Sequence, residues 1–187
     1  MAGGARLREI SLHILDLIEN AIRAGATVIA LAVEEEPDRD LLCIAVEDNG
    51  PGLPVPADIA ADPFFTTKEG KKTGLGLSLM KFRTEQAGGS FRLERSCLGG
   101  LAVRATMSIS HVDRSPLGDL AATLASVVCT SPGVELRSRL RVGCREWRVS
   151  TADIMRGLPV GGRSEIAVAR RVRERIAEGL TALHVCE

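Results

Sequence analysis

The first hydrophobic pattern of the chain is helical and covers residues 7–24. Apolar side chains recur at intervals of three and four, at Leu7, Ile10, Ile14, Leu17, Ile18 and Ala21. This spacing predicts a helix with one buried face, and Gly25 is a typical residue for its end. A polar stripe lies on another face, formed by Glu9, His13, Asp16, Asn20 and Arg23. A solvated surface and a binding face both produce such a stripe.

Two apolar runs then predict strands, at residues 26–33 and 41–46, with a turn at residues 34–38 between them. The second run leads directly into residues 47–52, which read Glu-Asp-Asn-Gly-Pro-Gly. A strand that ends in this way delivers a carboxylate at its tip. The glycines allow a ligand to approach the backbone closely.

Residues 53–73 have neither a helical nor a strand period, and a glycine-rich helix start follows them. The sequence Thr-Gly-Leu-Gly-Leu-Ser at residues 73–78 opens a helix that is predicted to continue to about residue 87. Such a start favours a bound phosphate, because free N–H groups and the helix dipole attract an anion. Residues 91–94 and 101–109 then predict a hairpin that turns at a pair of glycines.

The remaining chain predicts a small α/β module. Ser115 and Pro116 are typical of a helix start, and an amphipathic helix is predicted through residue 128. Residues 134–142 alternate apolar side chains with Arg137, Arg139 and Arg141 on the polar face. A solvated strand face and a docking surface for an acidic partner both fit that arginine stripe. A second strand around residues 147–149 and a last helix capped by Ser164 complete the module.

Composition excludes several functional classes. The 187 residues are 45% hydrophobic, which suits a folded protein. The net charge is zero and aromatic residues make up 3%, so neither nucleic acid nor a membrane surface is a predicted partner. No apolar run approaches the length of a membrane span, and the five cysteines are scattered without a Cys-x-x-Cys pair. We therefore predict buried free thiols and a cytoplasmic location.

The charge balance also predicts two domains, residues 1–111 and residues 112–187. The first part has 12 basic and 15 acidic side chains, whereas the second has 12 basic and 9 acidic ones. All the basic residues of the second part are arginines.

The order of these motifs over residues 6–110 resembles that of the Bergerat-fold (GHKL) ATPases, the superfamily of gyrase, heat-shock chaperone, histidine kinase and MutL proteins. Residues 17–27 are most similar to the MutL version, and residues 63–78 resemble the catalytic domain of histidine kinases. The resemblance implies an α/β (α+β) fold, a Bergerat-type two-layer sandwich of helices on a mixed sheet. The small C-terminal α/β module follows this sandwich.

The resemblance also assigns binding roles for ATP and Mg²⁺. Asn20 would bind Mg²⁺ through its side-chain oxygen. This ion takes hard oxygen ligands, and the phosphates of ATP would supply others. Asp48 would accept a hydrogen bond from the adenine amino group, and Gly50 and Gly52 would let the base approach the backbone. The phosphate-binding residues implied are Thr73, Gly74, Leu75, Gly76 and Leu77, with positive charge from Arg23 and Lys68. Residues 53–73 are expected to form a mobile lid.

Two further residues on the first helix are Asp16, which has two possible roles, and His13, for which one role is excluded. Asp16 stands one turn before Asn20, where many members have a glutamate as general base. Asp16 would act either as that base, through a water, or as a carboxylate that orients a metal-bound water. His13 is predicted to be a rim residue and not a phosphoacceptor, because the acceptor of sensor kinases lies on a separate helical hairpin.

The sequence departs from the family pattern in two places. Leu101 replaces a common Thr, and the strand that usually precedes the first helix is missing or short.

Three functions are compatible with the sequence. The first is a stand-alone Mg-ATP-dependent protein kinase subunit that transfers the γ-phosphate to a separate protein. The alternatives are a slow ATPase and an ATP-sensing switch that regulates a partner enzyme. The predicted partners are therefore ATP and an unidentified protein substrate or regulated partner, with a homodimer as an additional expectation.

Overall fold

The computed structural model describes residues 9–53 and 75–185. Five helices and six strands lie in these residues, with short 3₁₀ turns at Pro37–Arg39 and Val160–Gly162. The helices are α1 (Ile10–Arg23), α2 (Leu75–Gln86), α3 (Leu120–Thr130), α4 (Thr151–Gly157) and α5 (Glu165–Leu183). The strands are β1 (Val28–Glu36), β2 (Leu41–Asp48), β3 (Ser90–Arg95), β4 (Leu101–Ser108), β5 (Glu135–Val142) and β6 (Arg145–Ser150).

The six strands form one mixed sheet in the order β3-β4-β2-β1-β5-β6. β1 and β5 are parallel, and the other neighbours are antiparallel. Alternate residues of each strand point to opposite faces. One face, called the inner face here, carries the large apolar residues and packs against the helices in a single core. Helices on a mixed sheet confirm the predicted α/β fold class.

The sheet continues across the predicted domain boundary. β1 lies in the first predicted domain and β5 in the second, yet they pair over eight residues. Buried residues from both parts, such as Ile18 and Leu124, belong to the same core. The division at residues 111 and 112 stays a prediction, but the two parts share a sheet and a core.

The predicted turn at residues 34–38 was wrong in its bounds, because β1 continues through Glu36 and the turn covers Pro37–Arg39. Glu34 and Glu36 lie on the outer face of the sheet, opposite to the inner face. Their partners there are arginines of β5. Arg141 donates to Glu34 at 2.6 Å and to Glu36 at 3.3 Å. Arg139 donates to Glu34 as well. The acidic run therefore belongs to a strand whose charges are met by the neighbouring strand.

The predicted helix start at Ser115 and Pro116 was also wrong. α3 begins at Leu120, and the side chain of Asp119 caps it by accepting from the backbone of Ala122. The segment before it has a different role, because the carbonyls of Pro116 and Leu117 accept hydrogen bonds from α1. The backbone N–H groups of Ile10 and Ser11 donate to them at 2.9 and 2.8 Å. Residues 116–117 thus satisfy N–H groups that a helix start leaves open.

We expect Gly118→Ala to loosen this attachment of α1. Gly118 has a φ of +76°, and an added Cβ would lie 2.2 Å from Glu9 Oε2 and 2.6 Å from Ser11 Oγ. The expected loss of stability is about 1–3 kcal/mol, from backbone strain plus the clash. Gly133→Ala is the matched control, because Gly133 has a φ of +92° and an added Cβ would have no atom of the described residues within 4 Å. Urea unfolding that shifts both variants equally would contradict the attachment.

The expectation of buried thiols was wrong. Cys43 is half-buried, whereas Cys97, Cys129 and Cys144 are exposed, and all four are free. Cys186 lies outside the described residues.

No helix among the described residues is both long enough and apolar enough to cross a membrane.

Candidate functional site

Asp48 is a buried carboxylate at the end of β2, on the inner face of the sheet. Its side chain is 7% exposed. The Oδ1 atom accepts from the backbone N–H of Gly50 at 2.8 Å and of Leu101 at 3.3 Å. Among the described residues, these hydrogen bonds to the carboxylate all use Oδ1. The second oxygen, Oδ2, takes no hydrogen bond from the described part of the chain and can accept from a ligand.

Glycines surround this carboxylate, and at Gly100 a larger residue would not fit. The N–H of Gly100 donates to the backbone oxygen of Asp48 at 3.0 Å. A Cβ on Gly100 would lie 2.1 Å from Asp48 Oδ1 and 2.6 Å from the nitrogen of Gly50. Gly52 has a φ of +79°, which favours glycine, and faces the backbone of Gly100. We call Asp48, Gly50, Gly52 and Gly100 the glycine cradle.

The sequence predicted a turn at Gly100 but not its contact with Asp48. The glycine pair in the β3–β4 turn is the only signal in the sequence for this contact. Such a pair is equally typical of a turn that contacts nothing. Only the pairing of β2 with β4 brings this turn against the end of β2.

A cavity of about 370 Å³, lined by both polar and apolar residues, borders the cradle. Leu53, Leu93 and Leu101 supply apolar walls, and Gly52 and Gly100 supply open backbone. Glu94 and Arg95 supply a polar part of the lining. Leucine side chains and open backbone next to one buried acceptor suit a planar ring that carries a donor.

Asn49 has a structural role beside the cradle. Its Oδ1 accepts from the backbone N–H groups of Thr27 and Val28, both at 2.9 Å. Its Nδ2 donates to Thr27 Oγ1 at 2.9 Å. Asn49 thereby ties the end of β2 to the start of β1 and fixes the position of Asp48.

A second group of predicted residues meets where α1 faces the start of α2. A Cβ on Gly76 would lie 3.5 Å from Asn20 Nδ2 and 3.5 Å from the Cβ of Asp16. The two polar side chains of α1 therefore lie beside the first turn of α2, whose N–H groups favour an anion. We call Asp16, Asn20, Arg23 and Gly76 the helix cluster.

The side-chain oxygen of Asn20 is engaged within this cluster. Arg23 donates from Nη2 to Asn20 Oδ1, and it also lies 3.7 Å from Glu19. An amide oxygen has two lone pairs, so Asn20 can meet a cation while it accepts from one donor. The residue fits Mg²⁺ as a single hard oxygen ligand, with the remaining ligands from phosphate and water.

His13 is not a rim residue, and that prediction was wrong. Its side chain is 1% exposed, like those of the neighbouring Ile10 and Ser11. The first half of α1 is buried on more faces than an amphipathic surface helix. The buried His13 therefore interrupts the exposed part of the polar stripe. The ring cannot meet a phosphate donor without a change in packing.

Several predicted residues have no described geometry. Lys68, Thr73 and Gly74 lie outside the described residues, as does most of the predicted lid. Leu75 begins α2, and Leu77 packs against the core.

Cys97 is the thiol closest to the cradle along the chain, but it is not an activated nucleophile. Its Sγ donates to Glu47 Oε2 at 3.2 Å. This hydrogen bond and the charge of Glu47 raise the pKa of the Cys97 thiol, which disfavours the reactive thiolate.

Comparison with known proteins places this geometry in a family. The sequence profile described as "Histidine kinase-, DNA gyrase B-, and HSP90-like ATPase" matches residues 6–111, more than half of the chain. The sensor kinase CckA of Brucella abortus is 44% identical over 69 residues, which are 35% of this chain and 7% of that protein. The chain spans between 7% and 18% of the length of five curated relatives that it matches.

Two solved structures are also similar. The ATP-binding domain of PrrB from Mycobacterium tuberculosis is 28% identical, with 52% of this chain and 64% of that one covered and a TM-score of 0.41. The N-terminal domain of a DNA repair protein is 13% identical, with 78% and 53% covered and a TM-score of 0.50, a likeness of fold alone. On the match over residues 6–111, this chain belongs to the family of histidine kinase-, DNA gyrase B- and HSP90-like ATPases and carries their ATP-binding domain.

Proposed function

We propose that the glycine cradle and its cavity bind the adenine of ATP. Asp48 Oδ2 accepts a hydrogen bond from the exocyclic amino group of adenine. The ring lies between the leucine walls of the cavity and the open backbone of Gly52 and Gly100. Support comes from an acceptor atom that takes no hydrogen bond from the described residues, from its burial and from the close approach that the glycines allow.

In the same proposal the helix cluster holds the triphosphate. The first turn of α2 offers N–H groups to the phosphates, and Arg23 and Lys68 add positive charge. Asn20 would hold Mg²⁺, which supplies charge neutralisation at the phosphates when it is bound.

We further propose that the chain transfers the γ-phosphate to a separate protein. The observation that carries this is the placement of Asp16 beside Asn20 and the start of α2. The acceptor side chain forms the new bond to phosphorus while the bond to the β-phosphate oxygen breaks and ADP leaves. Asp16 takes the proton of the acceptor group. The burial of His13 favours an acceptor on another protein over this side chain.

The competing functions, a slow ATPase and an ATP-sensing switch, use the same binding residues and differ in what happens to the phosphate. In the ATPase, Asp16 orients a water as the nucleophile. In the sensor, ATP remains intact and the bound state alone acts on a partner. The homodimer and the cytoplasmic location also stay predictions.

The test is incubation of the full chain with γ-labelled ATP, with and without proteins of the lysate of its own cells. Label on a lysate protein, lost in Asp16→Asn, is the result expected of a kinase. Release of labelled phosphate without labelled protein would favour the ATPase. Bound but unreacted ATP would favour the sensor.

A further inference from the structure

We propose that the outer face of the sheet carries a docking groove for an acidic segment of a partner protein. The groove lies over β1, β2 and β5, on the face opposite to Asp48, and has a volume of about 640 Å³. Helix α4 forms part of its rim. The proposal is independent of phosphoryl transfer, because none of the cradle or helix-cluster residues lines this groove.

Its floor consists of alanines in the middle of the sheet. Ala32 of β1 pairs with Ala45 of β2, and Ala30 lies two residues along the same face. Alanine is disfavoured in strands, and the inner positions of β1 carry Ile29 and Leu31 instead. In β1 and β2 the alanines therefore all lie on the outer face, where they leave a depression between longer neighbours.

Arginines of the C-terminal part form one wall. Arg139 of β5 lies directly opposite Arg148 of β6, and Arg137 lies on the same face of β5. Like charges in opposite positions on neighbouring strands are destabilising. Glu146 offsets part of this repulsion, since it lies 3.8 Å from Arg139 and also pairs with Arg148. A carboxylate from outside would offset more of it.

Two of these arginines keep their terminal nitrogens available. Arg137 donates from Nε to Glu135 at 2.8 Å, and Arg148 donates from Nε to Glu146. Their Nη groups make no hydrogen bond to the described residues, and the side chains are 50% and 72% exposed. A pair of Nη groups matches the two oxygens of a carboxylate.

Arg141 shows the contrasting case on the same strand. Its Nε and Nη2 donate to Glu34, and Nη1 donates to the oxygen of Gly143 at 3.0 Å. Nη2 also reaches Glu36. Arg141 therefore stabilises the sheet, and Arg139 does so as well through Glu34. Of the three arginines in the stripe, Arg137 is the one whose Nη groups make no hydrogen bond to the described residues.

The composition of the groove favours a protein segment over nucleic acid. Glu47, Glu135 and Asp153 also line it, and they would repel a continuous chain of phosphates. None of the described lining residues is aromatic, so bases would find no stacking surface. A peptide can place its carboxylates at the arginines and its backbone N–H groups at the acids.

The test uses a short fluorescein-labelled peptide of alternating Glu and Ser, titrated with the full chain at low salt and followed by fluorescence anisotropy. An extended peptide of this pattern presents its carboxylates on one side. We expect binding that weakens at least about tenfold in the double variant Arg137→Gln/Arg148→Gln. Both side chains are exposed, so the variant should fold, and its melting curve checks this.

The matched control is Arg170→Gln/Arg171→Gln, which removes two exposed positive charges from α5. This control should bind the peptide like the unaltered chain. Equal loss in the two double variants, or no binding by the unaltered chain, would overturn the proposal. An oligothymidine that binds more tightly than the peptide would overturn the assignment to a protein segment.

Discussion

Asp16→Asn is expected to keep ATP binding and to lower γ-phosphate turnover by about 10²–10⁴-fold, the usual contribution of a general base. The amide preserves the shape of the side chain beside Asn20 and Gly76 but removes its affinity for a proton. The measurement is a side-by-side comparison of turnover and of ATP affinity in the unaltered chain and the variant.

Three further variants separate a base from a binding residue. Asn20→Ala should lose the Mg²⁺-dependent part of ATP binding, because it removes the proposed metal ligand. Glu85→Gln, which changes an exposed carboxylate on α2, should leave both quantities unchanged. Asp16→Glu keeps the proton affinity and should retain part of the turnover. Equal turnover in the unaltered chain and Asp16→Asn would contradict the assignment of Asp16 as the base.

Asp48→Asn should weaken ATP binding by about 1–3 kcal/mol, the scale of leaving a buried polar group without its partner. Oδ1 is held by the N–H groups of Gly50 and Leu101, so the new amide nitrogen would face the adenine amino group, donor against donor. Calorimetry measures the loss. Asp38→Asn, in the exposed 3₁₀ turn at the other end of β2, is the control. An unchanged affinity in Asp48→Asn would remove Asp48 from the site.

The elements of the first half could be predicted because each has its own local signal. The apolar spacing of residues 7–24 gave the helix at Ile10–Arg23, and the glycine-rich start gave α2. The sequence alone predicts Asp48 at a strand end, since an apolar run leads directly into the acidic and glycine-rich residues, and β2 ends at Asp48.

The contacts that the sequence did not predict all depend on distant parts of the chain. The closure of the cradle by Gly100 requires the pairing of β2 with β4, and the attachment of α1 requires residues 116–117. Neither contact leaves a periodic signal. The sequence predicts a turn at residues 34–38, whereas β1 continues through Glu36. The arginine partners of Glu34 and Glu36 lie about a hundred residues later, so no local pattern shows them.

The measurement that tests the central claim most directly is calorimetric titration of the full chain with Mg-ATP and with Mg-GTP. Guanine presents a carbonyl oxygen where adenine presents its amino group, so acceptor would face acceptor at Asp48 Oδ2. ATP is expected to bind at least about tenfold more tightly than GTP, since an unpaired buried acceptor costs about 1–3 kcal/mol. Equal affinities for the two nucleotides, or heat of binding from neither, would contradict an adenine site in the glycine cradle.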